Sequence, residues 1–169
     1  MLASGHEVCG LTYPKRQIDL HKFHELAAAG VDFDGAKIQA LTFIAAGNFV
    51  HENGQIQVQD GFLEMTGLPG GCLLIRTSAL RRMWKEIPKI RQTEHISDLE
   101  GKMGIENLIR CFDNVNVGNT NLSEDLSFCH RWRSINGRIF GLVDVSVTHC
   151  GGMNYEGRYI DLLMSTAKA

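Results

Sequence analysis

Residues 122–149, LSEDLSFCHRWRSINGRIFGLVDVSVTH, hold the change of period that decides the fold class. Ser123 is a good N-cap, and Leu126, Cys129, Trp132 and Ile135 recur at helical spacing, which predicts an amphipathic helix. Asn136-Gly137 closes it. RIFGLVDVSVTH then reads as a strand or strand pair. Helix and strand in succession place the chain in the α/β class. The same helix opens on two adjacent acids, Glu124 and Asp125. A helix start welcomes negative charge, by roughly 0.3–1 kcal/mol per group, so capping suffices to explain them. The sharper reading makes one of them a base that meets a substrate hydroxyl. Neighbours on a helix project about 100° apart, so the two cannot address one proton.

On the N-terminal side, EVCGLT (7–12) reads as a short buried strand interrupted at Pro14. IDLHKFHELAAAG (18–30) predicts a helix with Asp19 as N-cap and Gly30 as stop. Residues 36–66 read as β-rich, with Asn53-Gly54 as a tight hairpin turn and Ile56 and Val58 alternating on the return. GLPGG (67–71) breaks that pattern before CLLIR. TSALRRMWKEI follows with Leu80, Met83, Trp84 and Ile87 at helical spacing and Thr77 or Ser78 as cap. LRRMWK (80–85) reads as a solvated helix face. Residues 88–121, which include FDNVNVGNTN, read as a long surface loop. After a sharp CGG turn, YEGRYIDLLMSTAKA reads as a final helix. No repeat, linker or compositional boundary divides the chain, so 1–169 reads as one domain.

The 169 residues suffice for one domain with a real core, and 44% hydrophobic and 21% charged residues are ordinary values for a globular chain. No apolar run is long enough to span a bilayer, and MLASGHEVCG lacks the layout of a secretory signal. Cys9, Cys72, Cys111, Cys129 and Cys150 form no C-x-x-C pair, which points to reduced thiols in a cytoplasmic setting. Seventeen basic against nineteen acidic residues give a net charge of −2, so charge does not indicate a nucleic-acid partner.

Three further features carry chemistry. His149 ends an apolar strand just before Cys150-Gly151-Gly152, where an imidazole suits a divalent metal or a phosphate oxygen, or serves as a satisfied structural histidine. TGLPGG (66–71) lets backbone approach a ligand, with N–H groups able to receive phosphate or sugar oxygens, and otherwise is a turn. Tyr13-Pro14-Lys15-Arg16 forms a cationic loop after a strand, suited to an anionic substrate or to water. Asp32-Phe33-Asp34 has the spacing of a metal-binding acid pair but reads as a surface loop. His21 and His24 share a helix face without an acidic third ligand.

Taken in order, GLTYPKR, TGLPGGCLLIRTSAL, LSEDLSFCHRWRSINGRIF, VDVSVTHCG and YEG resemble the C-terminal half of nucleotide-sugar glycosyltransferases of the A-type fold. The likeness falls on the family-two-like enzymes of phages and bacteria and is strongest over 66–76 and 121–157. It implies a mixed sheet flanked by helices, corresponding to the acceptor side of that fold. It further implies Asp125 as the base that deprotonates the acceptor hydroxyl, with Glu124 fixing the acceptor or the loop. His149 would complete the coordination of Mn2+ or Mg2+ on the donor diphosphate. Gly67, Gly70 and Gly71 would line the pocket between donor sugar and acceptor, and Tyr13, Lys15 and Arg16 would face substrate. In that family a nucleotide pocket and an Asp-x-Asp metal site precede the strand that ends here at YPKR. Asp32 and Asp34 follow it instead, so the expected unit is a glycosyltransferase-like domain without its nucleotide-binding half. Its partners would be a nucleotide-sugar donor and a hydroxyl acceptor. Two other readings stay open: a non-catalytic carbohydrate- or partner-binding module, and a metal-dependent hydrolase using Asp125, His149 and a water.

Overall fold

The computed structural model describes residues 1–44, 49–50, 56–92 and 108–166. Along the chain these form β1 (Val8–Leu11), β2 (Pro14–Ile18), α1 (Leu20–Ala28), α2 (Phe33–Ala40), β3 (Leu41–Phe43), β4 (Val58–Gln59), β5 (Phe62–Met65), β6 (Leu73–Ile75) and α3 (Thr77–Glu86). There follow β7 (Arg91–Gln92), β8 (Leu108–Ile109), β9 (Asn116–Val117), β10 (Thr120–Asn121), α4 (Glu124–Ser134), β11 (Ile139–Leu142), β12 (Val147–Cys150), β13 (Asn154–Gly157) and α5 (Tyr159–Thr166). Single 3-10 turns occupy Leu2–Ser4, Gly70–Cys72 and Pro88–Ile90.

The principal sheet has the order β4-β5-β11-β1-β6. Only β1 and β11 run parallel, with Cys9, Gly10 and Leu11 opposite Phe140, Gly141 and Leu142. The other pairings are antiparallel, so the sheet is mixed and the fold is α/β with flanking helices. Smaller ladders join β2 to β3 and β12 to β13.

Alternation along the strands sorts the two sheet faces. Leu63, Met65, Ile139 and Gly141 point to the face covered by α4 and residues 66–72, where Leu68, Phe128, Cys129 and Trp132 are buried. A Cβ on Gly10 would stand 3.2 Å from one Leu68 methyl, and a Cβ on Gly141 3.3 Å from the other. Two glycines side by side thus make the floor on which Leu68 lies. Burying side chains of this size contributes about 1.5–3 kcal/mol each. Trp132, fully buried, donates its indole N–H to the Arg138 carbonyl at 2.9 Å and carries the Arg82 guanidinium 5.1 Å above its ring. The α4 stop needs both residues expected there. Asn136 takes φ 60°, and a Cβ on Gly137 would stand 2.1 Å from the Trp132 ring.

Several local readings change. Residues 36–40, placed in a β-rich region, belong to helix α2. Asp32 accepts from the Gly35 N–H at 3.0 Å as its N-cap, and Ala36 and Ala40 bury one face at i,i+4 spacing. Asp32-Phe33-Asp34 is therefore a helix start and not a surface loop. The hairpin turn between β4 and β5 is Asp60-Gly61, with φ of 51° and 78°, the backbone that Asp-Gly supplies. Asn53-Gly54 lies outside the described residues. Arg76 is the N-cap of α3 without a side-chain cap bond, while the Ser78 hydroxyl donates to Glu7 at 3.0 Å. Tyr13-Pro14-Lys15-Arg16 is not a loop, because Pro14 starts strand β2 opposite Phe43. The described part of 88–121 carries two ladders and buries Ile90 and Cys111. There the buried Arg131 guanidinium ties the Cys111 and Asp113 carbonyls to α4, at 3.0 and 2.5 Å, which a hydropathy reading does not show. The helices at 20–28, 77–86, 124–134 and 159–166 and the strands at 8–11, 139–142 and 147–150 stand where the sequence put them.

Candidate functional site

Because β1 and β11 are parallel, their carboxyl ends share one edge of the sheet, the edge at which open α/β sheets bind ligands. The connection from α4 leads into the start of β11, so the helix N-terminus returns to that edge with Glu124 and Asp125. Tyr13 leaves β1 there, and Gly70–Cys72 precede β6, whose Leu73 pairs with Gly10.

Asp125 is held by three donors. Its Oδ1 accepts from the Leu126 N–H at 2.7 Å and from the Ser123 hydroxyl, and its Oδ2 accepts from the Gly70 N–H at 3.0 Å. Ser123 stands at the N-cap but makes no cap bond of its own, since its hydroxyl is turned to Asp125. Residues 67–70 follow α4 closely. A Cβ on Gly67 would stand 2.7 Å from Leu126 Cδ2, and the Leu68 N–H donates to the Cys129 thiol at 3.4 Å. The Tyr13 hydroxyl packs against Gly71, where a Cβ would overlap it. Burial pushes the Tyr13 phenol above its ordinary value; the Gly71 N–H opposes this, and the negative Asp125 and Cys72 add to it.

The Tyr13 ring meets His149 edge-on, with centroids 5.6 Å apart and planes at 89°. His149 Nδ1 lies 2.9 Å from the Pro14 carbonyl. A carbonyl only accepts, so this contact places the proton on Nδ1 and leaves the Nε2 lone pair available when the ring is neutral. Asp125, Gly70, Gly71, Tyr13 and His149 thereby form one continuous chain of contacts. Sequence distance between its ends hides that continuity.

The remaining candidates fall around this chain. Glu124 is exposed and, among the described residues, makes no hydrogen bond or ion pair. Lys15 and Arg16 are exposed on β2, and the Arg16 stem lies along the Gly151 turn between β12 and β13. Gly67 is buried beneath Leu126 and does not reach the edge. The N–H groups of Leu68 and Gly70, expected to receive ligand oxygens, already serve Cys129 and Asp125, and Gly71 packs on the Tyr13 hydroxyl. What the glycines allow is close packing of backbone on Tyr13 and α4. His21 and His24 are exposed on α1, with His21 3.3 Å from Glu25.

Among the described residues no three His, Cys, Asp or Glu side chains gather as a metal site. His149 offers one imidazole, so the described residues do not by themselves fit a resident Mn2+ or Mg2+. Among the described residues no helix is long and apolar enough to cross a membrane. A cavity of about 280 Å³ borders Gly67, Leu126, His130 and Arg133, and another of about 340 Å³ lies on the sheet face away from α4. Neither of these two cavities is lined by Asp125, Tyr13 or His149. Sequence reasoning missed the second cavity, whose His6, Phe62 and Phe140 come from three separate stretches. The one local signal was the Asp60-Gly61 turn at its rim.

Comparison with protein-family models, with curated proteins and with solved structures finds no match to this chain.

Proposed function

We propose that the chain is a glycosyltransferase-like domain that moves a sugar from a nucleotide-sugar donor to a hydroxyl acceptor at the carboxyl edge of β1 and β11. The observation that supports this most is the contact chain from Asp125 through Gly70 and Gly71 to Tyr13 and His149. A carboxylate offers about four acceptor sites, and three are filled, which leaves one for an incoming hydroxyl. In the proposed step Asp125 takes the hydroxyl proton as the acceptor oxygen bonds to the anomeric carbon. The bond from that carbon to the diphosphate breaks, and the nucleoside diphosphate leaves with the electron pair. Exposed Glu124 orients the acceptor, and Lys15 and Arg16 attract the anionic donor. Among the described residues His149 alone would hold a divalent cation, which would offset charge on the leaving diphosphate.

The second reading is a carbohydrate-binding module, favoured by the structural employment of Asp125 in tethering the Gly70 backbone. One experiment separates the two. The chain is incubated with a panel of nucleotide sugars, with and without Mn2+, and released nucleoside diphosphate is measured. Sugar transfer predicts release that falls about a hundredfold or more in Asp125→Asn. Saccharide binding with no release from any donor gives the module.

A further inference from the structure

The cavity of about 340 Å³ on the sheet face away from α4 has a lining of mixed character. Its size lies at the lower end of the roughly 300–1,000 Å³ typical of small-molecule sites. Register puts Glu64 opposite Phe140 and Phe62 opposite Leu142, so Phe62, Glu64 and Phe140 share this face. The His6 imidazole stacks on Phe140, with centroids 3.8 Å apart and planes at 15°, and meets Phe62 edge-on at 4.8 Å. The Arg138 guanidinium stands 4.9 Å over the Phe140 ring and donates to Glu64 at 2.9 Å. At the rim, Gln59 and Asp60 are exposed, and among the described residues their side chains make no hydrogen bond. Asp60 is held there by the positive-φ turn that closes the β4–β5 hairpin.

We propose that this cavity binds a neutral pyranose ring, its C–H face against His6, which lies over Phe140, and against Phe62, and its hydroxyls paired with Gln59, Asp60 and Glu64. A pyranose presents an apolar face within a girdle of hydroxyls, each able to donate and accept. Carboxylates and amides at an aromatic floor complement both features. One observation disfavours an anionic ligand: Arg138 matches the Glu64 charge, and the Asp60 carboxylate at the rim leaves the lining net negative. Burial, and secondarily Arg138, holds the His6 imidazole below its ordinary value, so the ring stays uncharged at neutral pH. The proposal stands apart from the carboxyl-edge reading and uses none of its residues.

The test is NMR titration of the full chain with methyl glycosides of glucose, galactose, mannose and N-acetylglucosamine, following the His6 ring resonances. At least one glycoside is expected to shift them with saturation in the millimolar range, near −4 kcal/mol for a dissociation constant of about 1 mM. The exposed double variant Gln59→Ala/Asp60→Ala, with unchanged circular dichroism, is expected to weaken that binding about tenfold, whereas Asp125→Asn leaves it intact. Three results would overturn the proposal: no His6 shift from any glycoside up to about 50 mM; uridine or inorganic phosphate shifting His6 at lower concentration than every glycoside; or full affinity in the double variant. Absence of donor turnover in the parent chain, with His6 binding preserved, would count only against the carboxyl-edge reading.

Discussion

Adding one methyl at Gly10 or at Gly141 tests the packing of residues 68–72 on the sheet. The two glycines are partners in the parallel pair, yet a methyl would meet different obstacles at each. On Gly10 it stands 2.7 Å from the Cys72 carbonyl oxygen, 3.2 Å from Leu68 Cδ1 and 3.3 Å from Leu73 Cδ1. On Gly141 it stands 2.3 Å from Met65 Sδ and 3.3 Å from Leu68 Cδ2. The second contact is the shorter, but a thioether has three rotatable bonds and swings aside. The Cys72 oxygen is backbone within a 3-10 turn, and it must retreat by roughly half an ångström, taking Gly70 and Gly71 with it. Overpacking costs about 1–3 kcal/mol, and alanine recovers about 0.4–1 kcal/mol by restricting the unfolded chain. We therefore expect Gly10→Ala to lose about 2 kcal/mol and Gly141→Ala less than about 1 kcal/mol. In melting temperature this is a fall of roughly 4–8 °C against less than about 4 °C. Urea denaturation followed by the fluorescence of Trp84 and Trp132 measures both. Equal losses, or a larger loss in Gly141→Ala, would refute the claim that the turn at Gly70–Cys72 is the rigid partner.

Three further outcomes can be measured. Burial pushes the Cys129 thiol up to about 11, opposed by the Leu68 N–H and aided by Asp125. The raised value favours the thiol form in the folded state, so its contribution is whole below about pH 9 and is lost as pH climbs towards 11. Two units correspond to about 2.7 kcal/mol, so the urea midpoint of Cys129→Ala should fall less between pH 8 and about 10.5 than that of the parent chain. Parallel declines would sink this account; at pH 8, Cys72 and Cys150 should react with a thiol reagent well before Cys9, Cys111 and Cys129. In Asp125→Ala the Gly70 and Leu126 N–H groups lose their acceptor and α4 loses an anion at its start, a cost of about 1–2 kcal/mol. Gly70 amide exchange should quicken at least tenfold, and unchanged exchange would show that the tether does not hold the loop.

The sequence was most readable where a local rule acts alone. Asp19 caps α1, Asn136-Gly137 ends α4 beneath Trp132, and the strand at 139–142 follows from composition. Helix α2 was hidden because its capping aspartate resembles a metal-binding pair and its buried face is two alanines, a weak hydrophobic signal. Residues 108–113 read as loop because their anchor is a buried arginine supplied by α4. For the candidate edge, the sequence marked the residue types but not their employment. Nothing local to Gly70 or Gly71 announces that the Gly70 N–H belongs to Asp125, 55 residues away, or that Gly71 packs on the Tyr13 hydroxyl.

The strand near the start of the chain has a consequence for its synthesis. Val8–Leu11 lies between Leu73–Ile75 and Ile139–Leu142, and the Thr12 hydroxyl reaches the Leu142 carbonyl across 130 residues. During translation that strand emerges before its neighbour Ile139–Leu142 and waits, one edge unsatisfied, until about 130 further residues have followed it. Closing so long a loop makes assembly slow, and the waiting edge is a natural place for a chaperone to hold.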